Sequence, residues 1–301
     1  MNRRQALQFL AAGAATSSLG ARAQATGVTT RAIPSSGERI PVVGLGTWLT
    51  FDVGGAESMQ RRARGDVLRT FLAQGGRLVD SSPMYGSSEE VVGAELARGN
   101  APAPFTATKV WTVGALAGRR QMQRSRELWK VERLDLMQVH NLLDWETHWP
   151  VLKAMKAQGR VRYIGMTTSH GRRHDDLEKI MKRDRLDFVQ FTYNVNARDV
   201  EQVLLPLAAE RGTAVIINRP LDGGGVFGAK TVKPLPGWAA EIGCRSWAEA
   251  LLKWIAGHPA VTCSIPATTS IVHEQENVRA LSGPLPDAAL RRRILEDYAR
   301  A

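Results

Sequence analysis

Four side chains of the kind that move protons and stabilise charge occur at the ends of short apolar runs in the sequence. Asp80, Lys109 and His140 each lie at or near the end of such a run, and Tyr85 comes five residues after Asp80. A phenol has an ordinary pKa of about 10, and a nearby ammonium lowers this pKa because it favours the phenolate. A carboxylate keeps an ammonium charged, and an imidazole can hydrogen-bond to a carbonyl oxygen.

Together these groups suit the protonation of a carbonyl oxygen while a hydride reaches the carbonyl carbon. No amino-acid side chain supplies a hydride, so the pattern implies a reduced nicotinamide cofactor. We expect no zinc site at His140, because no second and third ligands stand at metal-binding spacing. The sequence therefore predicts redox chemistry on a carbonyl or an alcohol, without a metal.

The elements that must position these groups alternate regularly along the chain. Eight strand-like runs, separated by segments with helical spacing, cover residues 42–46, 77–81, 105–110, 134–140, 161–167, 188–193, 214–218 and 262–266. This alternation is typical of an α/β fold of the (β/α)8 TIM barrel type, in which functional side chains lie at the C-terminal ends of the strands. Two extended segments around the Gly-containing turn 35–38 predict an N-terminal β-hairpin that closes the barrel bottom.

A doubly wound sheet is the competing architecture. It requires a Gly-rich phosphate-binding turn, such as GxGxxG, between an early strand and a helix. Gly44 and Gly46 lack the third glycine, and the chain continues into Thr47 and Trp48 rather than into a helical pattern. The barrel is therefore favoured.

Composition narrows the function classes. The chain has 301 residues, of which 44% are hydrophobic and 23% charged, which is ordinary for a globular protein and excludes disordered and collagen-like classes. No run of 18 apolar residues occurs, so we expect no membrane span. The net charge is +11, but the cations are scattered and lack interleaved aromatic residues, so we expect no nucleic-acid partner. Cys244 and Cys263 fit buried hydrophobic positions better than a reactive pair.

The first 25 residues have the organisation of an export signal. Arg3 and Arg4 precede a weakly apolar stretch, which is followed by small-residue cleavage sites ending at Ala23 and Ala25. We expect a signal peptide over residues 1–23 with cleavage after Ala23 or Ala25, and a single barrel domain over residues 28–301. The paired arginines resemble the bacterial twin-arginine signal, so we expect the twin-arginine export machinery as a partner and a periplasmic location.

The segment 76–93 resembles the signature of the aldo-keto reductase family, and the resemblance extends over nearly the whole chain after the signal. In that family an Asp, a Tyr five residues later, a Lys ending the third strand and a His ending the fourth form the catalytic tetrad. The resemblance places Asp80, Tyr85, Lys109 and His140 in these roles. It implies an NAD(P)H-dependent oxidoreductase that interconverts an aldehyde or ketone and its alcohol, with Tyr85 as the general acid/base.

The same resemblance implies where a nicotinamide dinucleotide would lie. The residues it assigns to cofactor binding are Thr167, Thr168, Gln190, Asn218, Arg219, Pro220, Leu221, Thr268, Thr269, Glu276 and Asn277. Thr168 stands where the family usually has an Asn, and Asn218 where an aromatic ring usually stacks on the nicotinamide. NADP-preferring members carry a Lys or Arg near Thr269 or His273, and this chain has neither. NADP remains the expected cofactor, with NAD as the alternative.

Trp48 and Trp111 follow the first and third strands, where the family builds an apolar substrate wall, so both are expected to bind substrate. The substrate class is an aldehyde or ketone of modest size, or the corresponding alcohol. A first alternative is a nicotinamide-binding, redox-sensing barrel with little turnover, which resembles the potassium-channel β-subunit branch of this fold. A second is a carbohydrate-processing barrel, which would need paired carboxylates, whereas the strand ends supply only Asp80.

Overall fold

The computed structural model of the protein describes residues 27–99, 102–228 and 234–300. Its strands in chain order are β1 (Thr30–Ala32), β2 (Arg39–Pro41), β3 (Leu45–Gly46), β4 (Leu78–Asp80), β5 (Phe105–Val110), β6 (Leu134–Val139), β7 (Val161–Thr167), β8 (Phe188–Thr192), β9 (Ala214–Asn218) and β10 (Cys263–Ser264). From β3 to β10, each strand pairs in parallel with the next one along the chain. A parallel bridge between Val43 and Ser264 joins the two ends of this sheet and closes it. The predicted (β/α)8 barrel is confirmed.

The helices of the described ranges surround this sheet. They are α1 (Met59–Ala73), α2 (Ser88–Leu96), α3 (Ala115–Trp129), α4 (Trp145–Ala157), α5 (His174–Arg183), α6 (Leu204–Arg211), α7 (Trp238–Glu241), α8 (Trp247–Ala256), α9 (Ile271–Arg279) and α10 (Ala288–Arg300). Apolar residues three and four positions apart share one helix face, as with the buried Val67, Leu68 and Phe71 of α1. Among these helices, none combines the length and apolar composition of a membrane span.

The N-terminal hairpin covers one end of the barrel. β1 and β2 pair antiparallel, and Ile33 and Ile40 are buried against the side chains that fill the barrel interior. The hydroxyl of Tyr163, on β7, donates to Glu38 Oε2 at 2.6 Å, which ties the hairpin turn to the barrel. The hairpin therefore closes the N-terminal ends of the strands and leaves the opposite end for chemistry.

Inward-facing residues of the strands alternate with outward-facing ones. On β5, Phe105 and Ala107 belong to the interior cluster, and Lys109 lies on the same side two residues further on. On β6, Leu136 lies in the same cluster, so Gln138 and then His140 continue that face beyond it. The apolar floor of the barrel thus gives way to polar side chains at the C-terminal ends of the strands.

The last barrel strand is shorter than the apolar run that predicted it. Residues 262–266 formed that run, whereas β10 contains only Cys263 and Ser264. Pro266 has no N–H group, so the ladder cannot continue through it, although its carbonyl still accepts from Gly46 N at 2.8 Å. Cys244 and Cys263 are both buried and unpaired, as predicted. The predicted signal, residues 1–23, lies outside the described residues.

Candidate active site

The C-terminal ends of the barrel strands surround a cavity of about 880 Å³. Asp80 at the end of β4 and His140 directly after β6 line it, together with Tyr85 from the loop that follows β4. Lys109, near the end of β5, is fully buried beside Asp80. The four proton-transfer groups predicted from the sequence therefore lie together at the end of the barrel where chemistry is located in this fold.

A buried ion pair forms the base of the site. Lys109 Nζ lies 2.5 Å from Asp80 Oδ2 and also donates to the carbonyl of Ser81 at 2.9 Å. The second carboxylate oxygen accepts from Gln190 Nε2 at 3.1 Å and from Gln138 Nε2 at 3.4 Å. Burial is the largest single influence on Lys109 and lowers its pKa, but the attractions to Asp80 and Tyr85 and the hydrogen bonds with them together outweigh it, so the pKa is raised. The ammonium is therefore charged at neutral pH.

Tyr85 lies against this ammonium. Lys109 Nζ is 5.0 Å from the centre of the Tyr85 ring. Burial raises the pKa of the phenol above its ordinary value, and this outweighs the Lys109 charge, which lowers it. The Lys109 charge thus lowers the pKa of Tyr85 as expected from the sequence, but the larger effect of burial could not be predicted, because it depends on loops that cannot be read from residue spacing. Tyr85 is a neutral proton donor at physiological pH.

His140 completes the group as a neutral imidazole. Its ring meets the Tyr85 ring edge-on at 5.6 Å between centres, and its Nδ1 lies 2.9 Å from Ser82 Oγ. Burial, followed by the positive charge of Lys109, lowers the pKa of His140 to about 2. In the tautomer that accepts from Ser82 at Nδ1, the proton sits on Nε2, which leaves a neutral N–H donor for a substrate oxygen.

The loop after β4 has a defined shape because polar groups hold it at both ends. Tyr85 N donates to Ser82 O at 2.9 Å, and Thr47 Oγ1 donates to Ser81 Oγ at 2.9 Å. Gly86 has φ +59°, and a Cβ placed there would overlap the carboxylate of Asp52. Glycine is therefore required directly after the tyrosine, since it adopts positive φ without penalty and leaves room for Asp52.

Most of the predicted cofactor-binding residues line the same cavity as the four proton-transfer groups. Those that do are Thr167, Gln190, Asn218, Arg219, Pro220, Leu221, Thr268, Glu276 and Asn277. Thr168 and Thr269 are not part of its lining. The cavity extends from Tyr85 to the first turns of α9. Strand ends on both sides of the barrel therefore form its wall.

The chemistry of this wall fits a nicotinamide dinucleotide. The Gln190 amide nitrogen is held by Asp80, which leaves its carbonyl oxygen to accept from a carboxamide. Thr168, which follows the lining residue Thr167 but is not itself part of the lining, has a buried Oγ1 with no hydrogen-bond partner within the described ranges. Asn218 is engaged by the protein itself, because it donates to Thr168 O at 2.9 Å and accepts from Thr192 Oγ1 at 2.6 Å. Asn218 is thus held in one orientation rather than free to turn towards a ligand.

No lysine or arginine of the described ranges lines the α9 end of the cavity, where His273 and Glu276 do. Arg279, which follows His273 and Glu276 on α9, is held by Glu249 at 2.6 Å. Arg64 donates to the carbonyls of Thr50 and Thr269. The positive charges nearest this end are therefore already committed to protein partners.

The two tryptophans predicted to bind substrate occupy different environments. Trp48 lines the cavity, with His170 edge-on at 6.2 Å and the Arg219 guanidinium 5.8 Å from its ring centre. Trp111 is 42% exposed and is not part of the cavity lining. Its backbone N–H donates to Gln121 Oε1 at 2.6 Å, which fixes the start of the following loop. A substrate role for Trp111 stays a prediction.

Several residues of the site were missed by reasoning from the sequence. Ser82 orients His140, and Gln138 supports Asp80. The role of Gln138 could have been inferred from the sequence, because it lies two residues before His140 and therefore faces the same side of its strand. His170 and Arg172, from the loop after β7, also line the cavity. Nothing in their spacing distinguishes them from ordinary surface residues.

Comparisons with known proteins agree with this arrangement. The aldo/keto reductase family model matches residues 42–292. The "NADH-specific methylglyoxal reductase" of Escherichia coli K12 is 25% identical over 293 residues, which cover 84% of this chain and 88% of that protein. The aldo-keto reductase YhdN of Bacillus subtilis 168 is 27% identical over 219 residues, which cover 66% of this chain and 64% of that protein.

Solved structures share the fold. An aldo/keto reductase from Klebsiella pneumoniae, in complex with NADP and acetate, aligns with a TM-score of 0.71 and 24% identity over 86% of this chain and 93% of its own. The glycerol dehydrogenase AKR11B4 of Gluconobacter oxydans aligns with a TM-score of 0.73 and 20% identity over 90% of this chain and 95% of its own. At these identities the likeness establishes the barrel fold.

Proposed function

The chain belongs to the aldo/keto reductase family, and from that premise we propose that it is an NAD(P)H-dependent oxidoreductase that interconverts an aldehyde or ketone and the corresponding alcohol. One observation carries the proposal: a buried Lys109–Asp80 ion pair lies directly against a protonated Tyr85 at the wall of a large cavity. Two of its relatives are named as reductases, which favours an enzyme that converts carbonyl substrates over a barrel that only senses redox state.

In the proposed reaction Tyr85 acts as the general acid. Its hydroxyl donates a proton to the carbonyl oxygen, while a bound reduced nicotinamide supplies hydride to the carbonyl carbon. The phenolate that results is stabilised by the Lys109 ammonium. Asp80 is a positioning residue, since it holds that ammonium charged and fixed through contact with Nζ. In the direction of alcohol oxidation, the same phenolate accepts the proton.

His140 has a different part in this proposal. Because its pKa is about 2, it cannot serve as a competing acid at neutral pH. As a neutral imidazole with its proton on Nε2, it donates a hydrogen bond to the carbonyl oxygen and orients it towards the Tyr85 hydroxyl. When the Ser82 hydroxyl donates to Nδ1, the ring proton is on Nε2 and is available for this donation.

We assign the cofactor groove to the remaining polar wall. Gln190 and Thr167 would hold the carboxamide end, the backbone of Arg219, Pro220 and Leu221 the pyrophosphate, and the residues at the start of α9 the adenosine end. The proposed cofactor is NADP, with NAD as the alternative. The Klebsiella structure contains NADP, and the Escherichia coli relative is named for NADH, so relatives support both.

We further propose that residues 1–23 direct export of the folded protein through the twin-arginine route, which would place the barrel of residues 28–301 in the periplasm. The order of Arg3 and Arg4, a weakly apolar stretch and small residues ending at Ala23 supports this. Export after folding would allow the enzyme to leave with its nicotinamide bound. Replacing both arginines with lysine should abolish periplasmic accumulation in cell fractionation, and unchanged export would contradict the assignment.

The proposed activity is tested by following NADPH and NADH oxidation with a panel of aldehydes and ketones, after measuring binding of each nucleotide by fluorescence titration. Saturable binding with carbonyl-dependent oxidation is the expected result. Binding without turnover on any carbonyl would favour the redox-sensing alternative, and absence of binding would contradict both.

A further inference from the structure

Two arginines line the cavity, although the proton-transfer mechanism uses neither. Arg172 comes from the loop after β7, and Arg219 from the loop after β9. Tyr85 and His140 line the same cavity. Both guanidinium groups therefore belong to the space in which a substrate would be bound.

Arg172 is exposed, and no ion pair or side-chain hydrogen bond engages it among the described residues. Its neighbour Arg173 differs, since it pairs with Asp176 at 2.9 Å and donates to Leu142 O at 2.8 Å. A cation that lines a cavity and has no protein partner there is available to a ligand. Arginine suits this purpose because its planar fork can bind both oxygens of a carboxylate.

Arg219 is paired with a carboxylate but keeps hydrogen-bond donors that this pairing does not use. It pairs with Asp222 through one nitrogen at 2.9 Å, and its guanidinium lies 5.8 Å from the centre of the Trp48 ring. A guanidinium has five N–H donors, so most of them remain after this pairing. Trp48 thus forms an apolar surface beside the Arg219 guanidinium. Together they suit a carbonyl compound that has an apolar body and one negatively charged end.

His170 shows that the charges of both arginines reach the same part of the wall. It meets Trp48 edge-on, and its pKa is lowered by burial first and then by Arg219 and Arg172, whereas Asp222 acts in the opposite direction. Asp80, a carboxylate of the cavity lining, is paired with Lys109, and Arg219 is paired with Asp222. Arg172 therefore contributes a positive charge that no carboxylate of the described residues pairs with.

We propose that the physiological substrate is an anionic carbonyl compound, an aldehyde or ketone that carries a carboxylate, and that Arg172 is a specificity-determining residue which binds this carboxylate. The inference rests on the proposed reductase function and names its substrate class. Arg219 also acts on the charge near His170, but its neighbours Pro220 and Leu221 are assigned to the cofactor pyrophosphate. Arg172 is therefore the residue to test.

The experiment compares 4-carboxybenzaldehyde with its neutral methyl ester, using the full-length protein with saturating nucleotide. We expect the wild type to reduce the acid with the higher kcat/KM. Arg172→Ala should lower kcat/KM for the acid about tenfold through KM, the scale of one charge-assisted hydrogen bond, and should change the ester much less. Arg172→Lys should retain part of the preference, since it keeps the charge but loses the fork.

Arg185→Ala is the matched control. Arg185 is also an exposed arginine, but it precedes β8 and so lies towards the opposite end of the barrel. Its removal changes net charge equally and should leave the acid-to-ester ratio unchanged. The preference for the acid should also fall as ionic strength rises, because exposed charges are screened by salt.

Three results would overturn the inference or a part of it, and they are distinguishable. Equal turnover of acid and ester by the wild type would overturn the anionic substrate, and an acid-to-ester ratio unaffected by Arg172→Ala would overturn the assignment of Arg172; both would leave the proposed function in place. Absence of turnover with both aldehydes and with the wider carbonyl panel would overturn the proposed function and this inference with it. Nucleotide affinity of Arg172→Ala, measured by fluorescence, should match the wild type, and weaker binding would instead assign Arg172 to the cofactor.

Discussion

Lys109 Nζ lies 2.5 Å from Asp80 Oδ2, and both side chains are almost completely withdrawn from solvent. A buried charge that loses its partner is costly, because the low-dielectric interior cannot replace the lost attraction. In the proposed reaction the pair also acts on the chemistry, since the charge it fixes lies 5.0 Å from the centre of the Tyr85 ring. Stability and the proposed catalysis therefore depend on the same contact.

Removing both partners of this pair should destabilise the fold by less than the two single removals added together. Lys109→Met leaves the buried Asp80 carboxylate without its counter-charge and should reduce the free energy of unfolding by about 3–5 kcal/mol. The double variant with Asp80→Asn should lose less than the sum of the two single losses, measured by urea denaturation. Lys182→Met is the control, because its pair with Glu178 on α5 is exposed and should contribute about 1 kcal/mol or less. Strict additivity would contradict a coupled pair.

Tyr85→Phe should reduce kcat for carbonyl reduction by about 10²–10⁴, the usual contribution of a single general acid. Nucleotide affinity should persist, because the hydroxyl acts on the substrate and not on the cofactor. Tyr163→Phe is the matched control, since that hydroxyl bonds to Glu38 at the other end of the barrel. Comparable kcat values for Tyr85→Phe and the wild type would remove Tyr85 from the role of acid.

The barrel and the location of its site could be predicted because both follow from regular patterns. Parallel strands bring their C-terminal ends to one side, so polar residues that end apolar runs meet there even when they are far apart in sequence. Asp80, Lys109 and His140 are such residues. The predicted strand ends also explain why Gln138 supports the site, since it shares the inward face of its strand with His140.

Features that depend on loop conformation could not be predicted in this way. The link between Ser82 and His140 requires the turn after β4 to fold back, and spacing alone does not specify that turn. Trp111 looked equivalent to Trp48, yet it is 42% exposed outside the cavity because the segment after β5 leads away from it. The net pKa of Tyr85 depends on how much water the surrounding loops exclude.

A cation added at the α9 end of the cavity should strengthen the binding of NADPH but not of NADH. His273 lines it, whereas Arg279 is held by Glu249. His273→Arg should therefore tighten NADPH binding about tenfold, as expected for one new charge-assisted hydrogen bond to the 2′-phosphate, and should leave NADH binding nearly unchanged. Val272→Arg on the same helix adds the same charge outside the lining and should change neither. Equal effects of the two variants in fluorescence titrations would contradict this placement of the adenosine end.

Glu274, on the buried side of α9, predicts a pH dependence of stability. The side chain is fully buried, and within the described ranges Oε1 has no hydrogen-bond partner. Burial raises its pKa from 4.5 to about 8, only partly offset by the hydrogen bond from Asn277. Between these values the folded state holds a proton that the unfolded state has released, so the free energy of unfolding falls as pH rises.

Glu274→Gln cannot ionise, so it should become progressively more stable than the wild type as pH rises from about 5 to about 8, the window in which the wild-type carboxyl is ionised in the unfolded state but protonated in the folded state. Urea denaturation across that range measures the difference. Glu296→Gln provides the control, because this carboxylate is exposed on α10 and its substitution should shift stability little at any pH. A constant difference between Glu274→Gln and the wild type would mean that the buried carboxyl does not titrate with folding.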